Sequence, residues 1–194
     1  VMRLEVHMLK RILIFALLSL PLTAWAFFKP VRVLAPELAG VSCITQNVCI
    51  DDPSRIAEAS TLYENSIQFV DETIGEITNK PRVIFCATEA CFQSFGFSRS
   101  SANAVGTFGI VISPRAWELY YVRHEMIHHL QKEMLGNVKG WLVTPNWFIE
   151  GMAYMLSEDP RPTLPEPWQQ YRSQFGTWYK QVGKEQLWAE AAKL

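Results

Sequence analysis

His124-Glu125-Met126-Ile127-His128 constrains this 194-residue chain more than any other stretch of it. Two histidines four positions apart leave one helical face a turn apart, so both imidazoles can reach a common ion. Glu125 points about 100° round the helix from His124, beside that ion without being forced into its coordination. It is then free to take a proton from a metal-bound water. Trp117, Leu119, Tyr120, Tyr121, Met126, Ile127 and Leu130 leave the segment apolar over much of its circumference. Two histidines and a glutamate buried there unpaired would be costly, whereas a divalent ion satisfies them together. The pattern predicts a helix from about Pro114, capped by Ser113, to Leu135, closed by Gly136.

A catalytic zinc takes three protein ligands and leaves a fourth position to water. Glu150 is the best candidate for the third, a carboxylate in the middle of the otherwise apolar run Pro145 to Tyr154. Thr144-Pro145 starts this helix, which runs to about Ser157, and Gly151 and Ala153 allow a neighbouring helix to come close. His129, Glu133 and Glu158 are the alternatives for that third position.

His124-Glu125-x-x-His128 followed by Trp147-x-x-Glu150-Gly151-x-Ala153 resembles the gluzincin branch of the zincin metallopeptidases. The match covers about Ala104 to Ser157. It implies His124 and His128 as zinc ligands, Glu150 as the third and Glu125 as general base. It also implies that a strand near Thr107 to Ile112 forms the sheet edge and pairs with an extended substrate backbone. Tyr154, Tyr171, Tyr179 and His129 are open candidates for stabilising the oxyanion.

The rest of the chain reads as one domain, with 18 Lys+Arg against 19 Asp+Glu and 49% hydrophobic residues. Disorder is excluded by this hydrophobicity, and nucleic-acid binding by the lack of cationic excess. Residues 1–26 read as a signal peptide cleaved after Ala26: Lys10-Arg11, an uncharged run from Ile12 to Leu20, then Ala24-Trp25-Ala26. An uncleaved anchor is the alternative, but Ile12 to Ala26 is shorter than the ~20 residues that span a bilayer. Residues 27–194 are the expected mature domain, exported to a periplasmic or secreted location and without a stable membrane span. Cys43, Cys49, Cys86 and Cys91 then read as two local disulfides, 43–49 and 86–91.

Residues 27–50 read as an extended lead-in. Asp52-Pro53 opens a helix whose buried stripe is Ile56, Ala59, Tyr63, Ile67, Val70, Ile74 and Ile77. Arg82–Cys86 and Ala104–Ser113 read as strands, 87–103 as loop, and Trp168 onward as an aromatic-rich helix. The expected fold is α+β, zincin-like and helix-dominated, with a small mixed sheet and the His-Glu-x-x-His helix at the site. The expected function is an exported zinc-dependent peptidase acting on peptides or proteins. Its rival is a non-catalytic zinc-binding module in envelope assembly or protein interaction, for which Trp168, Trp178, Tyr179 and Trp188 would offer a docking surface.

Overall fold

The computed structural model describes residues 28–194, together with Lys10 and Thr23. The signal-peptide expectation for 1–26 thus falls almost wholly outside the described residues. The fold is mixed α+β and dominated by helices.

Five short strands make one sheet: β1 Ser42–Cys43, β2 Val48–Ile50, β3 Val83–Phe85, β4 Ala102–Val105 and β5 Gly109–Ile112. Their order is β1-β2-β3-β5-β4. The central pairs β2/β3 and β3/β5 are parallel, and the outer pairs β1/β2 and β4/β5 antiparallel. Parallel strands covered on both faces should be apolar at every position, and these are. Val48, Ile50, Val83, Phe85, Ile110 and Ile112 face the larger core, and Cys49, Ile84 and Val111 face a smaller one.

Two helices absent from the sequence reading, α1 Lys29–Leu34 and α3 Glu89–Ser94, contribute Val33, Cys91 and Phe92 to that smaller core. The lead-in is therefore a helix and a hairpin rather than extended chain. Thr88 starts α3 inside the expected loop, its hydroxyl accepting from the Cys91 amide at 3.1 Å. Both local disulfides are present, Cys43–Cys49 and Cys86–Cys91, tying the β1/β2 hairpin and the β3–α3 connection.

On the larger face lies α2, Ile56–Thr73, entered through a 3-10 turn at Pro53–Arg55 whose Asp52 cap accepts from the Ser54 amide. The predicted stripe is buried along it from Ala59, with Ile56 half-buried, and continues past the helix end to Ile74 and Ile77. The next helix, α4, is Leu119–Leu135; its first expected turn is a separate 3-10 segment, Pro114–Ala116. Gly136 does close it. A short helix, α5, Asn137–Leu142, replaces the expected loop before α6, Asn146–Leu156.

The last helix, α7, spans Trp168–Ala191 with a break in helical geometry at Gly183. It packs on α6 so closely that a Cβ on Gly151 would stand 2.3 Å from the Tyr171 carbonyl oxygen. Trp178, Tyr179 and Trp188 pack against the larger core, whereas Trp168 lines the cleft.

The expected single strand Ala104–Ser113 is a hairpin instead. Gly106, at φ 57°, turns the chain, and β5 comes back along β4. This corrects the edge assignment: residues 109–112 lie inside the sheet, and β4 forms its margin.

Candidate metal centre

Helix α4 is apolar enough to be buried on most sides, and this forces its polar residues into a few enclosed positions. His124, Glu125, His128, His129 and Gln131 are all buried. His124 and His128 lie one turn apart with Nε2 atoms separated by 3.1 Å. From α6, Glu150 brings Oε2 to 3.8 Å from His124 Nε2 and Oε1 to 3.7 Å from His128 Nε2. The three ligand atoms lie within 4.8 Å of one another, a group able to hold a metal ion. Donors about 2.0–2.2 Å from a tetrahedral ion stand roughly 3.3–3.6 Å apart, close to this spacing.

The surroundings fix how His128 is presented. Gln131 donates from Nε2 to the Ile149 carbonyl at 2.9 Å, which turns its Oε1 toward His128 Nδ1, also at 2.9 Å. An amide oxygen only accepts, so Nδ1 is the donor and Nε2 is left facing the other two ligands. Gln131 had no role in the sequence reading, yet it is 1% exposed. Its spacing three residues after His128 is the signal that would have found it.

His124 is held well below its ordinary pKa, chiefly by burial, then by His128 and Arg161. Its imidazole is therefore available as a ligand at neutral pH. Burial raises the Glu125 carboxyl above its ordinary value, against the pull of His128 and Lys132. Lys132, a further turn along α4, donates to the Ala104 carbonyl of β4 at 2.9 Å, and Glu125 interacts with the same backbone residue. Sequence reading did not single out Lys132, although positions 124, 128 and 132 form one helical row.

The alternatives for the third ligand point elsewhere. His129 lies 2.7 Å from the Asn79 carbonyl, and Glu133 accepts from the amides of Thr78 and Asn79. Glu158 pairs with Arg123. Among the four oxyanion candidates, Tyr154 reaches the site: its ring centroid is 4.5 Å from that of His124, and burial pushes its phenol up to about 12. Tyr179 stacks on Phe175 at 5.4 Å, and Tyr171 packs edge-on against Trp168 at 5.9 Å.

The ligand group opens into a cleft of about 700 Å³. One side is the Arg99–Ala104 segment, including the margin strand β4; Glu125, Lys132, Ile149, Tyr154, Arg161 and Trp168 also line it. Comparison with protein-family models, curated proteins and solved structures finds no match for the chain.

Proposed function

We propose that the chain is an exported zinc-dependent peptidase of the zincin type, hydrolysing peptide bonds with His124, His128 and Glu150 as metal ligands. The observation that carries this reading is the meeting of those three ligand atoms within 4.8 Å, in a cleft that Glu125 also lines. Zinc held there supplies Lewis acidity and brings the pKa of a bound water down to about 7.

Glu125 is the general base: a buried carboxyl with a raised pKa accepts a proton from the attacking water and returns it to the leaving amine. Lys132 pulls that carboxyl's value back down, while burial lowers its own ammonium. Tyr154, protonated at neutral pH, is the donor available to negative charge developing on the scissile carbonyl oxygen. The margin strand β4 runs along the cleft beside the place of an extended peptide, with the Ala104 carbonyl already held by Lys132. A metal that only braced two helices would need no buried carboxyl at position 125, and a structural zinc takes four protein ligands.

Two disulfides accord with a non-reducing compartment, periplasmic or extracellular. Among the described residues no helix is long and apolar enough to cross a membrane. Glu125→Gln tests the role of the base: the variant retains zinc and loses peptide cleavage by a factor of about 10²–10⁴.

A further inference from the structure

We infer that Arg161 selects the substrate by binding a carboxylate on the peptide, either its C-terminus or an acidic side chain, close to the bond that is cut. This rests on the peptidase reading above, which assigns Arg161 no part in the reaction.

Arg161 belongs to the segment between α6 and α7 and lines the cleft. Its Nε lies 2.8 Å from Asp159 Oδ1, its Nη2 bonds Asp159 Oδ2, and its own amide donates to Oδ1 at 3.0 Å. The Asp159 side chain is 1% exposed, so this is a built ion pair rather than two surface groups that happen to meet. Burial pushes the Asp159 carboxyl up, but the bonds from Arg161 outweigh it and hold the group below its ordinary value.

From α7, Arg172 donates to the carbonyls of Arg161 and Pro162, each at 2.9 Å, which fixes the backbone carrying the guanidinium. The rings of Tyr120 and Tyr121 each lie 5.5 Å from it, and that of Tyr154 lies 5.8 Å away.

This mounting leaves one end of the guanidinium uncommitted. Among the described residues Nη1 has no partner, and Arg161 pairs with no carboxylate other than Asp159. Two N–H donors are thus held in place on a side chain 36% exposed. Preorganised donors on a delocalised cation suit a carboxylate. Among the described residues Arg161 makes no ion pair with Glu150, and Tyr154 is the ring that packs on His124. The anion of Arg161 therefore belongs to a part of the substrate beside the scissile carbonyl. Extended chain advances about 3.3 Å per residue, so a group one or two residues along comes within reach. Arg99, Lys132 and Arg161 line the cleft against Glu125 and Glu150, and a bound divalent ion leaves it net positive, favouring an anionic peptide.

The test uses zinc-loaded Glu125→Gln protein titrated with N-acetylated peptides of one neutral sequence. One is amidated, one has a free C-terminal carboxylate, and an amidated set carries a single glutamate at each internal position in turn. Binding is read by calorimetry. At least one carboxylate peptide should bind about tenfold more tightly than the neutral amide. Adding Arg161→Gln should close that gap without loss of zinc, whereas Arg161→Lys, with charge but no fork, should keep only part of it.

A gap confined to the free C-terminus assigns exopeptidase-like recognition, and one confined to an internal glutamate assigns recognition of acidic side chains. Indistinguishable affinities for all the peptides, including no binding of any, overturn the inference, as does a gap that survives Arg161→Gln. Wild-type cleavage of the same peptides is followed in parallel. A gap without cleavage removes the peptidase reading alone, and cleavage without a gap removes only the role of Arg161.

Discussion

His128 and Gln131 are joined through Nδ1 and Oε1 at 2.9 Å, and the same glutamine reaches the backbone of Ile149, the residue before Glu150. One buried side chain therefore orients a ligand on α4 and anchors the strip of α6 that carries another. Replacing Gln131 by Leu should keep the packing volume but release both. The expected result is zinc affinity lower by about 10–100-fold, measured by competition with a chelating indicator. Affinity equal to wild type would mean that packing alone orients His128.

Gly151 places the Glu150 backbone against α7, where an added Cβ would stand 2.3 Å from the Tyr171 carbonyl oxygen and 2.8 Å from Phe175 Cβ. Backbone cannot retreat as a flexible side-chain end can. Gly151→Ala should therefore destabilise the protein by about 1–3 kcal/mol despite alanine's better helix propensity, a loss visible in urea denaturation. A more stable variant would show that α6 and α7 have room to separate.

The buried histidines set a pH dependence. Burial lowers both His124 and His129, so below the ordinary histidine pKa of about 6.5 the unfolded chain binds more protons than the folded one. Their contribution is fully present above that value and is lost as pH falls from it toward the folded values. Glu125, raised by burial, works in the opposite sense, so the clean measurement is made on metal-free Glu125→Gln protein. Its unfolding free energy should fall steadily between pH 7.5 and 5; an unchanged value would contradict the enclosure of these two rings.

Each disulfide closes a short loop, with cysteines separated by six and five positions. Chain-entropy arguments give about 2 kcal/mol for each. The paired replacement Cys86→Ser/Cys91→Ser should lower the melting temperature and leave the zinc content unchanged, because α4 and α6 lie on the opposite face of the sheet from this bridge. Loss of zinc on that replacement would link the two faces more tightly than the packing suggests.

How far these features could be read in advance differs from element to element. The stripe from Ile56 to Ile77 and the apolar run around Glu150 announced α2 and α6 because long helices repeat one periodicity many times. Helices α1, α3 and α5 have six residues each, too few turns for a period to emerge, and the local signals for α3 were the Thr88 cap and Glu89 in its first turn. The β4/β5 hairpin was hidden because only Gly106, Thr107 and Phe108 separate its two strands.

At the site, the spacing of His124 and His128 carried its own geometry, whereas the approach of Glu150 depends on tertiary packing between α4 and α6. Arg161 was invisible for the same reason. A lone arginine in a proline-rich connection acquires meaning only when Asp159, Arg172 and three tyrosines are found around it.

Metal analysis of the purified protein beside Glu125→Gln and Glu150→Ala is the most direct measurement. The wild-type protein should hold one zinc and cleave peptides, Glu125→Gln should hold as much zinc without cleaving, and Glu150→Ala should lose most of its metal. Equal zinc in wild type and Glu150→Ala, or undiminished cleavage by Glu125→Gln, would contradict the account.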